Sequence, residues 1–154
     1  DNGFGLWESR AITAYLAGKD SAKRLYPDDV VTRALIDQWS YWQAIHLGPA
    51  MQKVGFERAM KKRFGMGEPD ESNIVDSVAD TDKFLKVFDS GLADRDWIAG
   101  DLSVADFALA STFMYRDAAN ISLAVVPRVT AWIERMEARE SWKKAVAPVM
   151  ALLA

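Results

Sequence analysis

Apolar residues recur along most of this chain at three- and four-residue steps, the spacing that lines one face of an α-helix. From Val30 to about Val54 the positions Leu35, Trp39, Trp42 and Ile45, with Ala and Tyr around them, keep that period, and Gly48-Pro49 predicts a kink or break in the rod. Asp28 and Asp29 stand at its mouth, where acidic residues suit the positive end of a helix. Phe56 to Phe64 continues as a basic amphipathic piece, and Gly65-Met66-Gly67-Glu68-Pro69-Asp70-Glu71 combines Gly, Pro and acids as a surface loop. Ser72 to about Leu92 then sets Ile74, Val78, Ala79, Phe84, Leu85 and Phe88 on one broad face. A second long helix therefore folds back on the first as an antiparallel pair.

Further on, Ser103-Val104-Ala105-Asp106 has the form of a capping box, in which the Ser hydroxyl and the Asp carboxylate each satisfy an amide at a helix start. The helix it opens runs to about Arg116 through Phe107, Ala108, Ala110, Ser111 and Met114, a smooth set that predicts burial at the centre of a bundle. Pro127, at a first helical position, introduces a helix over Val129 to Arg139, and a last one runs from Ser141 toward the end. At the other end of the chain, Asn2-Gly3 predicts a hairpin turn into a short edge strand, Phe4-Gly5-Leu6-Trp7. A helix with Ile12, Tyr15 and Leu16 on one face follows, stopped by Gly18, and Asp20 to Leu25 reads as a linker.

Composition narrows the picture. A length of 154 residues suits one main core, and half the residues are hydrophobic, with six Trp, seven Phe and four Tyr to fill it. The formal net charge is −3, and Lys and Arg are scattered rather than striped, which argues against nucleic acid as a partner. An acidic small substrate needs a local positive site. Cys is absent, which excludes disulfides, thiolate metal sites and a cysteine nucleophile within these residues, and the single His46 cannot build a metal site alone, so no metal is expected. The longest apolar runs, Leu123 to Val126 and Met150 to Ala154, are far below membrane-spanning length, and no basic-then-apolar leader opens the chain. The expectation is a cytoplasmic protein with no membrane partner. The opening Asp1-Asn2-Gly3 reads as a start inside a longer parent.

Two motifs carry a resemblance. Glu8-Ser9-Arg10-Ala11-Ile12, after a short strand and opening a helix, is similar to the segment with which many glutathione transferases grip the γ-glutamyl end of glutathione. A helix start offers unpaired amides and a positive dipole end to a carboxylate, a Ser hydroxyl adds a donor, and Glu8 can face the ligand ammonium. The plainer reading of Glu-Ser at this place is simple helix capping. About ninety residues later, Trp97-Ile98-Ala99-Gly100-Asp101-Leu102-Ser103-Val104-Ala105-Asp106 resembles the family's signature for the start of its central buried helix. Between them, Ala34-Leu35-Ile36-Asp37-Gln38-Trp39 with Trp42-Gln43 looks like the first long helix of the helical domain, closest to the theta-like and bacterial branches.

The resemblance spans essentially the whole chain. It implies an all-α fold, a glutathione transferase C-terminal-like helical bundle carrying a short remnant of an N-terminal thioredoxin-like α/β domain. The division it implies is 1–20 for that remnant (strand and helix), 21–27 for a linker and 28–154 for the helical domain. A parent of this kind is usually a homodimer that conjugates glutathione, its co-substrate, to small hydrophobic electrophiles. The family's catalytic Ser, Tyr or Cys and its cis-Pro loop belong to segments that would precede Asp1, so no residue here is assigned the catalytic role.

The same likeness points to Glu8 and Ser9 as glutathione contacts and to Asp37 as a carboxylate reaching the ammonium of glutathione bound across the dimer; an ordinary solvated Asp is the alternative. Tyr41, with Ala44 and Ile45, follows on the face of Asp37 and would line the electrophile cleft, although aromatics at helical spacing are more often core. Tyr115 could border that cleft or simply sit at a domain edge. Ser103 and Asp106 are read as a structural cap, and His46 is given no catalysis and expected partly buried beside Gly48-Pro49. A non-catalytic binding or assembly module, and a glutathione-dependent isomerase, reductase or dehalogenase, stay open as other functions of the same fold. These residues alone are expected to bind glutathione weakly at most and to conjugate nothing.

Overall fold

In a computed structural model the described residues, 1–21 and 23–153 with side chains through Ala151, form an antiparallel helical bundle. Ala22 in the expected linker and Ala154 at the chain end lie outside the described residues. Seven α-helices follow in order: α1 (Ser9–Gly18), α2 (Val30–Trp42), α3 (Gly48–Gly55), α4 (Glu71–Leu92), α5 (Val104–Ala110), α6 (Pro127–Glu137) and α7 (Glu140–Leu153). The expected rod from Val30 does not break at Gly48-Pro49. It passes through a π-helical turn at Gln43–Leu47, resumes as α3, and widens again at Phe56–Met60. Pro49 falls in the first turn of α3, where its missing N–H costs least. Gly48 is required by space, since a Cβ there would stand 2.7 Å from the Gln43 Nε2 and 2.8 Å from the Gln43 carbonyl.

Caps fix the ends of the long helices. Asp29 accepts from the Thr32 amide at 2.8 Å to open α2, and Asp70 accepts from Asn73 at 3.1 Å to open α4. A second cap on α4 comes from the rod beside it. Glu57, buried in the π turn, accepts from the Asp70 amide at 2.8 Å, from Lys61 at 2.9 Å and from the Asn73 amide group at 3.3 Å. The Asp70 amide, then the Lys61 ammonium, hold its carboxyl below the usual range. The start of α6 has no cap of its own; Asp89 of α4 reaches across and accepts from the amides of Arg128 and Val129 at 2.8 and 3.1 Å.

The core centres on Trp132, against which Phe88 and Phe113 pack edge to face with ring centroids at 4.8 and 5.6 Å. Helix α5 runs beside them with Val104, Ala105, Ala108, Leu109 and Ala110 buried, and its continuation Ser111–Tyr115 tightens into a 3-10 turn rather than extending the α-helix to Arg116. The Ser103–Asp106 capping box is formed. Asp106 is fully buried and accepts four hydrogen bonds, from the Ile98 amide (3.1 Å), the Trp132 indole (3.0 Å), the Ser103 amide (2.9 Å) and the Ser103 hydroxyl (3.1 Å). Burial pushes its carboxyl above the usual range, and these donors oppose the shift without cancelling it.

The structure departs from the sequence expectations in three further places. Residues 4–7 form no strand, because an edge strand without a neighbour has no ladder to join, although the turn before it is made: Asn2 and Gly3 take φ of 51° and 85° and the Phe4 amide bonds Asp1 at 2.9 Å. On α4, Ala79 is exposed and Val78 only half-buried, while Ser77 and Thr81 lie in the buried seam. Ser77 is tolerated there because its hydroxyl bonds the Asn73 carbonyl at 2.6 Å. His46 is exposed rather than partly buried, its ring against Phe84 at 5.4 Å.

Candidate functional site

The start of α1 is open. Glu8, the residue before the helix, is held at φ 70°, a left-handed conformation that costs a non-glycine residue about 1–3 kcal/mol, and no side chain caps the helix. Glu8 and Ser9 are both exposed. The Glu8 carbonyl accepts the first helical bond from Ile12 at 2.9 Å, and the Thr13 hydroxyl ties to the Ser9 carbonyl at 2.7 Å, so the backbone of the turn is fixed while the carboxylate and the Ser9 hydroxyl bond nothing among the described residues. Positive dipole, one hydroxyl and one carboxylate meet at one exposed point. Capping does not account for the two residues, because neither side chain caps.

The residue after them turns inward. Arg10 crosses from α1 to the bundle, where its Nη2 donates to Gln43 Oε1 and to the Ala108 carbonyl, the latter at 3.5 Å. It forms one wall of a cleft of about 440 Å³ between α1, the rod and the 3-10 turn, within the size range of small-molecule sites. Gln43, Pro49, Met60, Ser111, Thr112 and Tyr115 complete most of its lining. Tyr115 thus borders a cleft beside α1. Tyr41 and Ile45, 58 % and 67 % exposed, lie on the outer surface of the rod and are not among the residues lining it.

Asp37 is half-buried on α2, and its carboxylate is gripped by the Tyr26 hydroxyl, which donates to Oδ1 at 2.9 Å and Oδ2 at 3.1 Å. Arg33 covers the Tyr26 ring at 4.6 Å. Burial first, then the bond to Asp37 and its charge, push the Tyr26 phenol up to about 12, so it remains a donor at any ordinary pH. Neither Tyr26 nor Arg10 is among the site residues expected from the sequence. Arg10 left a signal there: a cation in the first turn opposes the helix dipole, a local inconsistency that marks a position chosen for something other than helix stability.

A model of the glutathione S-transferase C-terminal domain matches residues 47–140. This chain belongs to the glutathione transferase family. Among curated proteins it is 34% identical over 157 residues to glutathione S-transferase hmp2 of Hypomyces subiculosus, covering 96% of this chain and 72% of that protein. It is 32% identical over 146 residues to glutathione S-transferase GstB of Escherichia coli (strain K12), covering 92% and 67%. Among solved structures, glutathione S-transferase I from mais in complex with an atrazine glutathione conjugate superposes with a TM-score of 0.87 at 28% identity, over 99% of this chain and 71% of that one. The theta class enzyme from Xanthomonas axonopodis pv. citri with glutathione bound gives 0.85 at 26%, over 96% and 70%. The family's mostly helical domain is the fold described above. Among the described residues no group of acids or His could hold a metal ion, and no helix is long and apolar enough to cross a membrane.

Proposed function

We propose that this chain is the helical-domain side of a glutathione transferase that joins glutathione to small hydrophobic electrophiles. The γ-glutamyl end of glutathione binds at the start of α1, its carboxylate on the free amides and the Ser9 hydroxyl, its ammonium facing Glu8. The electrophile enters the adjoining cleft bordered by Tyr115. Residues 1–20 complete a thioredoxin-like domain, 21–27 link it to the bundle of 28–154, and the protein works as a cytoplasmic homodimer in which Asp37, steadied by Tyr26, reaches glutathione bound to the other subunit. Tyr41 and Ile45, exposed on the rod one and two turns beyond Asp37, border the cleft of the assembled dimer.

One observation carries this reading: Glu8 is held in a left-handed conformation at an exposed helix start that no side chain caps, and backbone strain of this kind is concentrated at binding sites. Two variants of the full-length protein test it. Glu8→Gly relieves the left-handed backbone and removes the carboxylate, so glutathione binding measured by calorimetry weakens about tenfold while stability is unchanged or rises by up to about 1 kcal/mol. Ser9→Ala weakens glutathione to a similar extent, about 1.4 kcal/mol for one hydrogen bond to a charged group. Stability lost with affinity intact, in either variant, returns both residues to helix structure and sinks the proposal.

A further inference from the structure

The cleft beside α1 contains a charge that no carboxylate among the described residues answers. Arg10 stands in the first turn of α1, where the aligned peptides already place positive charge. Its guanidinium is half-buried, and burial pulls it below its ordinary value. Nη2 has only neutral acceptors, Gln43 Oε1 and the Ala108 carbonyl, and Nε is buried with no hydrogen-bond partner. Arg139 also leaves a buried Nε unpartnered, but its guanidinium lies over the Phe107 ring at 5.7 Å and borders no comparable cleft, whereas two other partly buried arginines are answered by carboxylates. Arg116, at the cavity under α7, pairs with Glu137 at 3.1 Å and Asp117 at 2.9 Å; Arg33 pairs with Asp28 at 2.7 Å. Among the described residues, no carboxylate pairs with Arg10, and no acid lines its cleft.

A cation taken part-way out of water without a counter-charge is costly, and it draws an anion wherever a ligand can supply one. The chain is acidic overall, with net charge −3, so this local cation works against a repulsive background and selects by position rather than by bulk attraction. We propose that the cleft is specific for electrophiles bearing an anionic group, an arylcarboxylate being the simplest, whose anion seats on Arg10. This rests on the transferase reading above and names the substrate class for the same cleft. In the reaction the thiolate sulfur attacks the aryl carbon that holds chloride. The carbon–sulfur bond forms, the carbon–chlorine bond breaks, chloride leaves with the bonding pair and the thiol proton passes to solvent. The carboxylate is a handle and takes no part in the bond changes.

The test uses the full-length protein and two matched pairs of probes. Chloronitrobenzoate and chloronitrobenzamide are compared by kcat/KM with glutathione, each divided by its uncatalysed rate; nitrobenzoate and nitrobenzamide, which lack the leaving group, are compared by calorimetric Kd. The acid is expected to be preferred by about tenfold in both, the scale of one charge-assisted hydrogen bond. Gln43→Glu puts a carboxylate on Arg10 while leaving the arginine in place, and the preference then falls to about one. Arg10→Lys keeps part of it and Arg10→Gln removes it; should Arg10→Gln fail to fold, Gln43→Glu still decides. Equal Kd values for nitrobenzoate and nitrobenzamide in the unaltered protein, or a preference that survives Gln43→Glu, overturn the anion site. Acid-selective binding with neither chloride turned over leaves the anion site standing and sinks the transferase reading. Turnover of both chlorides without acid preference does the reverse.

Discussion

Removing the carboxylate of Asp106 should be among the most damaging single changes to this bundle. The carboxylate joins three separate pieces of chain: the Ile98 amide in the connector, Ser103 at the start of α5, and the Trp132 indole at the core's centre. In Asp106→Ala the Ser103 hydroxyl can rotate to another acceptor, but the amides of Ile98 and Ser103 and the Trp132 N–H are left without one. A buried donor so stranded costs about 1–3 kcal/mol, or roughly 3–9 for three. Part is returned, because burial already disfavours the ionised carboxylate and the variant no longer bears that penalty. The net expectation is a loss of about 3–5 kcal/mol, a large share of the roughly 5–15 typical of a native protein. Equilibrium urea unfolding followed by tryptophan fluorescence reads it as a midpoint lowered by about 1–3 M, taking a slope near 2 kcal/mol per M. Asp106→Asn, which keeps one acceptor oxygen but points an NH2 at the remaining donors, should fall between. A loss under about 1 kcal/mol for Asp106→Ala would mean that the donors find water or relax apart, and the reasoning from stranded amides fails.

Two further changes probe different contacts. Gly91→Ala would ordinarily stabilise a helix interior, but a Cβ there collides with the Trp39 ring, so the expected sign is reversed: a loss of about 1–3 kcal/mol, seen as a melting temperature lower by roughly 2–10 °C. No drop in calorimetric melting would show that α2 and α4 have room to part. The Glu57 carboxyl is held below its ordinary value when folded, so its contribution is present above the ordinary Glu range and is lost as pH falls through the lower folded value. Glu57→Gln should therefore be less stable than the unaltered protein at neutral pH, with the gap closing only in acid below about pH 4; a gap that persists undiminished there would assign the loss to packing instead.

How far the sequence disclosed all this depends on where each interaction has its partner. Helices α2, α4 and α6 announce themselves because period, caps and Pro127 lie within one stretch of chain, and the capping box at Ser103 is legible for the same reason. The trans caps are not legible. Asp89 serves amides 39 and 40 positions away, and Glu57 serves Asp70 across a loop, so each reads in sequence as one more surface acid. The π turns at Gln43–Leu47 and Phe56–Met60 shift the register of the rod and carry no periodic mark. At the candidate site, the motif singles out Glu8 and Ser9, a reading left to the glutathione titrations above, whereas the tie of Tyr26 to Asp37 and the reach of Arg10 to Gln43 needed the fold to bring distant residues together.

The first helix ties these threads into one physical picture. Its apolar side chains are poorly covered among the described residues, with Leu16 61 % and Trp7 just ahead of it 78 % exposed, so hydrophobic packing does little to hold α1 in place. What ties it to the bundle is the Arg10 guanidinium on Gln43 and Ala108, together with the buried Ala17 and contacts to α5. The residue that anchors the helix is therefore also the unanswered cation of the cleft, and it lies one position from the Ser9 hydroxyl proposed to hold glutathione. An anion arriving at Arg10 must compete with, or add to, the bonds that set the angle of α1, and with it the placement of the cradle at Glu8 and Ser9. Binding in the cleft and at the helix start are thus coupled through a single side chain, and by linkage any gain in affinity at one must appear equally at the other. In the unaltered protein nitrobenzoate should change the calorimetric Kd for glutathione, and glutathione should change the Kd for nitrobenzoate by the same factor. In Gln43→Glu, where the cation is already paired, that factor should fall to one. Mutual indifference of the two ligands in the unaltered protein would show that α1 is held by something other than Arg10.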